Sequence, residues 1–254
     1  MRLSLLTYNL GKDLSLDDLI RVSEKYGYDG IEFRAGVGPH GVELTATAAQ
    51  RAEIRRKMAA SRVAIAGLGT SCRFESLDAA ERQRQVAEAK AYIDLAADVG
   101  APKIRVFGNC FPKGADKDTV IRNVGECLRQ IGEHAEKGRV DCNLELHGDF
   151  YYWEYTLRAV QLASHPRIGI VYNCNPEEMA FGSIGQFLEP IKPYLRHVHL
   201  HELENGYPYR LLFRFLKDIG YTGFNSVESD TPSPDAERVI AIYALLYRAW
   251  VESA

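Results

Sequence analysis

The chain has 254 residues, 46% of them hydrophobic, and carries 31 Lys and Arg against 34 Asp and Glu, a formal net charge of −3. That much apolar material supports a sizeable core and argues against disorder, and a balance so near neutral gives no electrostatic case for nucleic acid or an anionic membrane as a partner. No stretch approaches the ~18 apolar residues of a membrane span, the opening MRLSLLTYNLGKDLS is too short and interrupted an apolar run for a signal peptide, and Cys72, Cys110, Cys127, Cys142 and Cys174, odd in number and without CxxC spacing, read as thiols of a reducing compartment, so a cytoplasmic location is expected.

Short β-rich runs alternate with longer helical patterns from end to end. Strands are expected at 2–8, 29–34, 62–69, 102–107, 140–146, 167–173, 195–201 and 223–228. Each is followed by a helical pattern, at 16–26, 47–60, 79–99, 117–137, 154–163, 184–194, 209–219 and 236–251. In the third helix Val86, Ala89, Ile93 and Ala97 share one face, Asp78 with Glu81 marks the start, and Gly100 then Pro102 mark the stop. Ser233 and Pro234 suit the N-cap and first turn of the last helix. Pro190 and Pro193 interrupt the sixth. Eight βα units in order, with no linker or composition break, predict an α/β protein: one (β/α)8 TIM barrel domain over residues 1–254. The competing fold, an open doubly wound sheet, needs a glycine-rich phosphate turn after its first strand, and Leu10–Gly11 supplies none. Gly36-x-Gly38-x-x-Gly41 has the letters of a dinucleotide fingerprint, but Pro39 interrupts it and the next helix starts only beyond Gly41, so it reads as a loop.

The strand ends carry the chemistry. Polar residues two apart recur there: Glu32 and Arg34, Arg105 before Phe107, Glu145 and His147, Asn173 and Asn175, His197, His199 and His201, Glu228 and Asp230. Spacing of two in a strand turns both side chains to one face. Polar groups ending several parallel strands are what a barrel needs at its C-terminal mouth. Glu145 on the fifth strand and Glu228 on the eighth can flank a substrate carbon, one taking a proton and the other giving it. Of the three alternating histidines, His197 should sit deepest as a hydrogen-bonded core group, His199 is the best placed metal ligand, and His201 lies near the rim, where it can meet substrate. Asn173 can ligate a hard cation without adding charge. Glu32 can orient a substrate hydroxyl, and Arg34 can do the same or close an internal salt bridge. Phe150 to Trp153, with Tyr207 and Tyr209, are candidate aromatic walls for a sugar ring, the alternative being core filling between loop and helix.

The segments GYDGIEFR, GAPKIRVFG, NLELHG, HVHLHEL and FNSVESD, in that order, resemble the xylose isomerase-like (β/α)8 superfamily, the sugar isomerase and epimerase group related to endonuclease IV. The resemblance spans most of the chain. It implies one divalent metal ion held by a Glu, an Asp, a His and a second Glu on strands five to eight; a donor set rich in oxygen with one histidine suits manganese, magnesium or cobalt ahead of zinc. Those positions are Glu145, Asn173, His199 and Glu228 here, with Asn173 in place of the family's Asp. The two glutamates would double as acid and base, with Glu32, His147, Asn175 and His201 as substrate contacts. The glutamates supply two negative charges, enough for a divalent ion, but binding should be weaker than with a third carboxylate. The histidine set of an endonuclease IV-like nuclease is missing. The implied activity is an isomerase or epimerase moving a proton through an enediolate on a small keto-sugar or related hydroxy-carbonyl compound. The alternatives are a polyol dehydratase (inosose type) on the same scaffold, and a sugar-binding barrel that has lost the metal. The expected partner is a small sugar or polyol; a homo-oligomer stays open, since no pattern encodes the oligomeric state.

Overall fold

In the computed structural model, which describes residues 1–176 and 183–254, strands and helices alternate in chain order. They are β1 (Arg2–Leu6), α1 (Leu16–Tyr26), β2 (Gly30–Arg34), α2 (Ala48–Ala59), β3 (Ala64–Arg73), α3 (Ala79–Val99), β4 (Lys103–Phe107), α4 (Lys117–Gly138), β5 (Asp141–Glu145), α5 (Trp153–Ala163), β6 (Ile168–Asn173), α6 (Ile184–Ile191), β7 (Leu195–Leu200), α7 (Tyr209–Asp218), β8 (Phe224–Val227) and α8 (Ala236–Ser253). The strands pair in parallel and in sequence, and β8 returns to β1 through Arg2↔Phe224 to Leu5↔Val227, so the sheet closes into a (β/α)8 barrel. No helix among the described residues is long and apolar enough to cross a membrane.

Strands buried on both faces usually read as unbroken apolar runs. These alternate instead, because the barrel interior is polar. On β4, Ile104 and Val106 are fully buried under the helices, whereas Lys103 and Arg105 point into the barrel toward His197 and Glu145. β3 makes room for them. A Cβ at Gly67 would lie 2.9 Å from Lys103 Cγ, and one at Gly69 would lie 3.0 Å from Arg105 Nη2. Two long cationic side chains therefore occupy the space that β3 leaves free.

The helix ends follow local chemistry. Ser15 Oγ accepts from Asp18 N, Thr47 and Ser183 close capping boxes with Gln50 and Gln186, and Gly27 and Gly100 take the left-handed C-terminal position. Most strand and helix ends fall within two residues of expectation, and three differences have a clear structural reason or consequence. β3 runs four residues past Gly69, which carries Ser71 and Arg73 up to the barrel mouth. The N-cap of α8 is Asp235, whose side chain accepts from Arg238 N, while Ser233 Oγ accepts from Asp235 N one step earlier. α6 runs through Pro190, stops at Ile191 and continues as a 3-10 turn over Lys192–Tyr194, since Pro193 has no N–H to extend the helical ladder. No disulfide joins the cysteines; Cys110 alone of the five is exposed.

The loop after β2 is pinned from inside by His40, which is 3% exposed. Its Nδ1 accepts from Val42 N at 3.2 Å, which leaves Nε2–H to face Thr7 Oγ1 at 3.5 Å, and Thr7 Oγ1 also accepts from Arg34 N. These bonds require the neutral ring, and burial pushes its pKa down to about 4. The unfolded chain therefore binds more protons here between about pH 6.5 and pH 4, and stability falls as the pH drops through that window. This one group should remove about 2 kcal/mol by pH 5. Urea unfolding of the wild type and His40→Gln at pH 7 and pH 5 should show a smaller acid loss in the variant; equal losses would mean that His40 does not titrate in this way.

Candidate metal and active site

The inward residues of the strands stack into a polar column. At its floor Lys103 Nζ donates to Arg196 O at 2.9 Å and lies 3.4 Å from His197 Nδ1. Burial lowers the Lys103 pKa to about 8. His197 Nε2 reaches Glu32 Oε2 at 2.7 Å and Ser226 Oγ at 2.8 Å, and burial holds its pKa near 4, so the ring is neutral. One layer up, His199 Nε2 sits 3.2 and 3.1 Å from the two Glu32 oxygens. Its other nitrogen, Nδ1, faces Glu228 Oε2 at 3.1 Å and Glu145 Oε2 at 3.6 Å.

Electrostatics in this column override burial. Burial alone would raise the Glu32 carboxyl, but the imidazoles of His199 and His197 hold it well below the usual range. Burial alone would lower His199, but Glu32, Glu228 and Glu145 raise it well above the ordinary imidazole value. Glu228, likewise opposed by burial and favoured by His199, falls to about 2. It is a carboxylate throughout the neutral range.

Above His199 four potential ligands converge. Glu145 Oε2, Asn173 Oδ1 and His199 Nδ1 are buried polar atoms without a hydrogen-bond partner, and ligand atoms of Glu145, His199 and Glu228 lie within 4.8 Å of one another. Donors bonded at ~2.1 Å to one ion stand about 3.0–3.4 Å apart, close to the 3.1 and 3.6 Å found around His199 Nδ1. An unpartnered buried polar atom is costly, and a shared cation would satisfy all three. Asn173 also donates from Nδ2 to Glu145 Oε1 at 3.1 Å. Because a carboxylate only accepts, the amide nitrogen must face it, and this turns Oδ1 free for a cation. The residues present thus fit a divalent metal.

Arg105 was not among the expected site residues. Its Nε lies 2.9 Å from Glu145 Oε2, both side chains almost wholly buried, yet the N–H is not aimed along a hydrogen bond. The contact offsets one of the two glutamate charges counted from sequence. Glu32, beneath His199, puts one back. The period-two parity with Phe107 was the available signal; the height of Arg105 beside Glu145 depends on Gly69 and on closure of the barrel.

The site opens into a cavity of about 440 Å³ at the C-terminal mouth. His147, Asn175 and His201 line it with Glu145, Asn173 and Glu228. His147 packs on Phe107 with ring centroids 4.6 Å apart, Asn175 commits its amide N–H to Leu146 O, and His201 Nδ1 lies 3.2 Å from Asp230 Oδ2. Glu32 departs from expectation: bonded to both imidazoles and 2% exposed, it lies under the cavity, outside its lining, and can act on a ligand only through His199. The expected aromatic walls also differ. Phe150 is fully buried, tilted against Phe111 and edge-on to Tyr155, and Tyr207 and Tyr209 are buried against each other. Among the described residues, the phenyl and phenol rings on the cavity are those of Phe107 and Tyr8.

A family model described as "Xylose isomerase-like TIM barrel" matches residues 20–248. The chain belongs to that family. Solved structures that share the fold include D-psicose 3-epimerase from Clostridium cellulolyticum H10 with D-tagatose, at 16% identity and TM-score 0.81 with the whole of each chain covered. An L-ribulose 3-epimerase matches at 17% identity and TM-score 0.82, covering 99% of this chain and 95% of its own. The IolI protein with a bound zinc atom matches at 16% identity and TM-score 0.78, covering 99% and 98%. Among curated proteins, none matches this chain in sequence.

Glu32→Gln keeps the shape under His199 and removes the buried charge. Breaking a buried pair from one side costs about 3 kcal/mol. Urea unfolding at pH 7 should register a loss of that order, and an unchanged midpoint would mean that Glu32 does not anchor the imidazoles.

Proposed function

We propose that this barrel is a divalent-metal-dependent isomerase or epimerase that moves a proton through an enediolate on a small hydroxy-carbonyl compound of the keto-sugar type. The observation that carries the reading is the convergence of the unpartnered atoms of Glu145, Asn173 and His199 beside Glu228. Fold neighbours described as D-psicose and L-ribulose 3-epimerases support the reaction class, and the zinc-bound IolI supports a metal at such a site. Glu145, Asn173, His199 and Glu228 would hold the ion, which would polarise the substrate carbonyl and stabilise the negative charge that develops on it.

The chain's own groups then divide the work. Glu228, ionised and only 8% exposed, takes a proton from the carbon beside the carbonyl. Glu145, held between Asn173 Nδ2 and the Arg105 guanidinium, must first take up a proton from solvent in the cavity, which it then delivers to the other face of the same carbon while Glu228 returns its own proton to solvent. Glu32 holds Nε2–H of His199 so that the Nδ1 lone pair points upward, as a carboxylate behind a ligating histidine does. His147 and His201, on the cavity wall, meet the substrate hydroxyls.

Manganese-loaded and desalted wild-type protein should retain about one ion per chain, and Glu145→Gln should retain far less. Solvent deuterium should appear at the carbon next to the carbonyl during turnover; turnover with no uptake would exclude free proton exchange, and loss of water would indicate a dehydratase. Asn173→Asp separates the two roles of the amide. It should tighten manganese binding about tenfold by adding a charged ligand, while lowering the melting temperature in EDTA because the new carboxylate would face Glu145. A tighter site with no apo penalty would mean that the Asn173–Glu145 hydrogen bond contributes nothing.

A further inference from the structure

The cavity has two electrically different walls. Glu145 and Glu228 belong to the β5 and β8 side, whereas β2, β3 and β4 send Arg34, Arg73 and Arg105 onto the same cavity. Arg105 is compensated by Glu145, and Arg73, 60% exposed at the rim, lies 3.5 Å from Glu75. Arg34 differs. Its Nη1 donates to Gly69 O at 3.2 Å and its Nη2 to Ser71 Oγ, both neutral acceptors. No ion pair to a carboxylate forms at Arg34 among the described residues. It is half-buried, and burial and then repulsion from Arg105 both disfavour its charge. Arg105 in turn is nine-tenths buried and leaves its Nε without an acceptor. Two guanidiniums that repel each other across a partly desolvated wall, one of them without a direct ion pair and favoured only at longer range by Glu228, are an arrangement that an anion in the cavity would complete.

We infer that Arg34 and Arg105 form an anion subsite, so that the substrate carries a carboxylate or phosphate on the β2–β4 side while its hydroxy-carbonyl part lies between Glu145 and Glu228. The inference rests on the function proposed above for that second half of the cavity, and it sets this barrel apart from one that takes only uncharged sugars. Ser71, next to Arg34, adds a hydroxyl within reach of the same anion. Lysine could not replace Arg34 fully, because its point charge lacks the planar fork that also reaches Gly69 O.

The test uses three achiral matched ligands: dihydroxyacetone, hydroxypyruvate and dihydroxyacetone phosphate. They share the hydroxy-carbonyl part and differ in carrying no anion, a carboxylate or a phosphate. Dissociation constants are measured by calorimetry on the full chain, both manganese-loaded and EDTA-treated. At least one anionic ligand should bind about tenfold or more tighter than dihydroxyacetone, and the favoured one identifies carboxylate or phosphate as the natural anion. The preference should persist in EDTA, should shrink to near unity in Arg34→Gln and should be partly kept in Arg34→Lys. Neither anionic ligand exceeding dihydroxyacetone would overturn the subsite, as would a preference left intact by Arg34→Gln. An anion preference in protein that retains no metal would keep the subsite and overturn only the metal-dependent reaction, so the two failures are distinguishable.

Discussion

The site depends on one contact, the Glu32 carboxylate under the His199 imidazole. The three carboxylates around His199 favour its protonated ring, but a ring that gives up its Nδ1 proton to a cation keeps Nε2–H as donor, and the partner of Nε2 decides where Nδ1 points. With Nε2 held by Glu32 at 3.1 and 3.2 Å, Nδ1 must face Glu145 and Glu228. His197 holds the other side of Glu32 and is itself backed by Lys103. From floor to mouth the column runs Lys103, His197, Glu32, His199 and then the two glutamates, and each member is held by the one beneath it. The arrangement stands in the low-dielectric centre of a closed sheet, where any unmatched charge is expensive.

Such an interior constrains the strands that surround it. A barrel core is ordinarily filled by branched aliphatic side chains in layers. Here part of the filling is Lys103 and Arg105, whose length demands the missing Cβ atoms of Gly67 and Gly69. The outward faces carry the hydrophobic burden instead: Ile104, Val106, Leu144, Ile170, Val198 and Val227 are buried against the helices. Hydrophobic packing outside the sheet therefore stabilises a polar assembly inside it, and the same alternation that positions the chemistry makes each strand visible as a period-two pattern.

That pattern explains what could be read from the chain and what could not. Parity along a strand fixes the face of a residue, so the inward side of Glu145, Asn173, His199 and Glu228 was legible. The cap and the glycine stop likewise marked the ends of α3 to the residue. Height along the barrel axis was not legible, because it depends on the stagger between neighbouring strands. Register shifts between Ile31 and Glu32 and between Ile170 and Val171 alter it locally. Glu32 consequently lies one storey below the cavity, although Arg34, two residues on, lies in its wall. The rings after β5 were ambiguous for a different reason. An aromatic residue in a loop can face the cavity or the helices, and Phe150 turns to Phe111 and Tyr155. Arg105 needed three facts at once: its parity, the glycines opposite and its closeness to Glu145.

Asn173 is the point at which these constraints meet. Its neighbour Glu145 is gripped on Oε1 by the Asn173 amide and approached on Oε2 by Arg105. An aspartate at 173 would add charge for a cation, but it would lose the donor that holds Glu145 and would set two carboxylates against each other. An asparagine keeps one acceptor for the cation and uses its N–H to orient the group proposed to carry the proton. The Glu32 charge, felt from below through His199, balances Arg105 and leaves the two glutamate charges for a divalent ion. An asparagine at 173 is therefore compatible with a site that holds a divalent ion on two glutamates, and the opposite wall, with Arg34 and Arg105, is the strongly cationic part of the cavity.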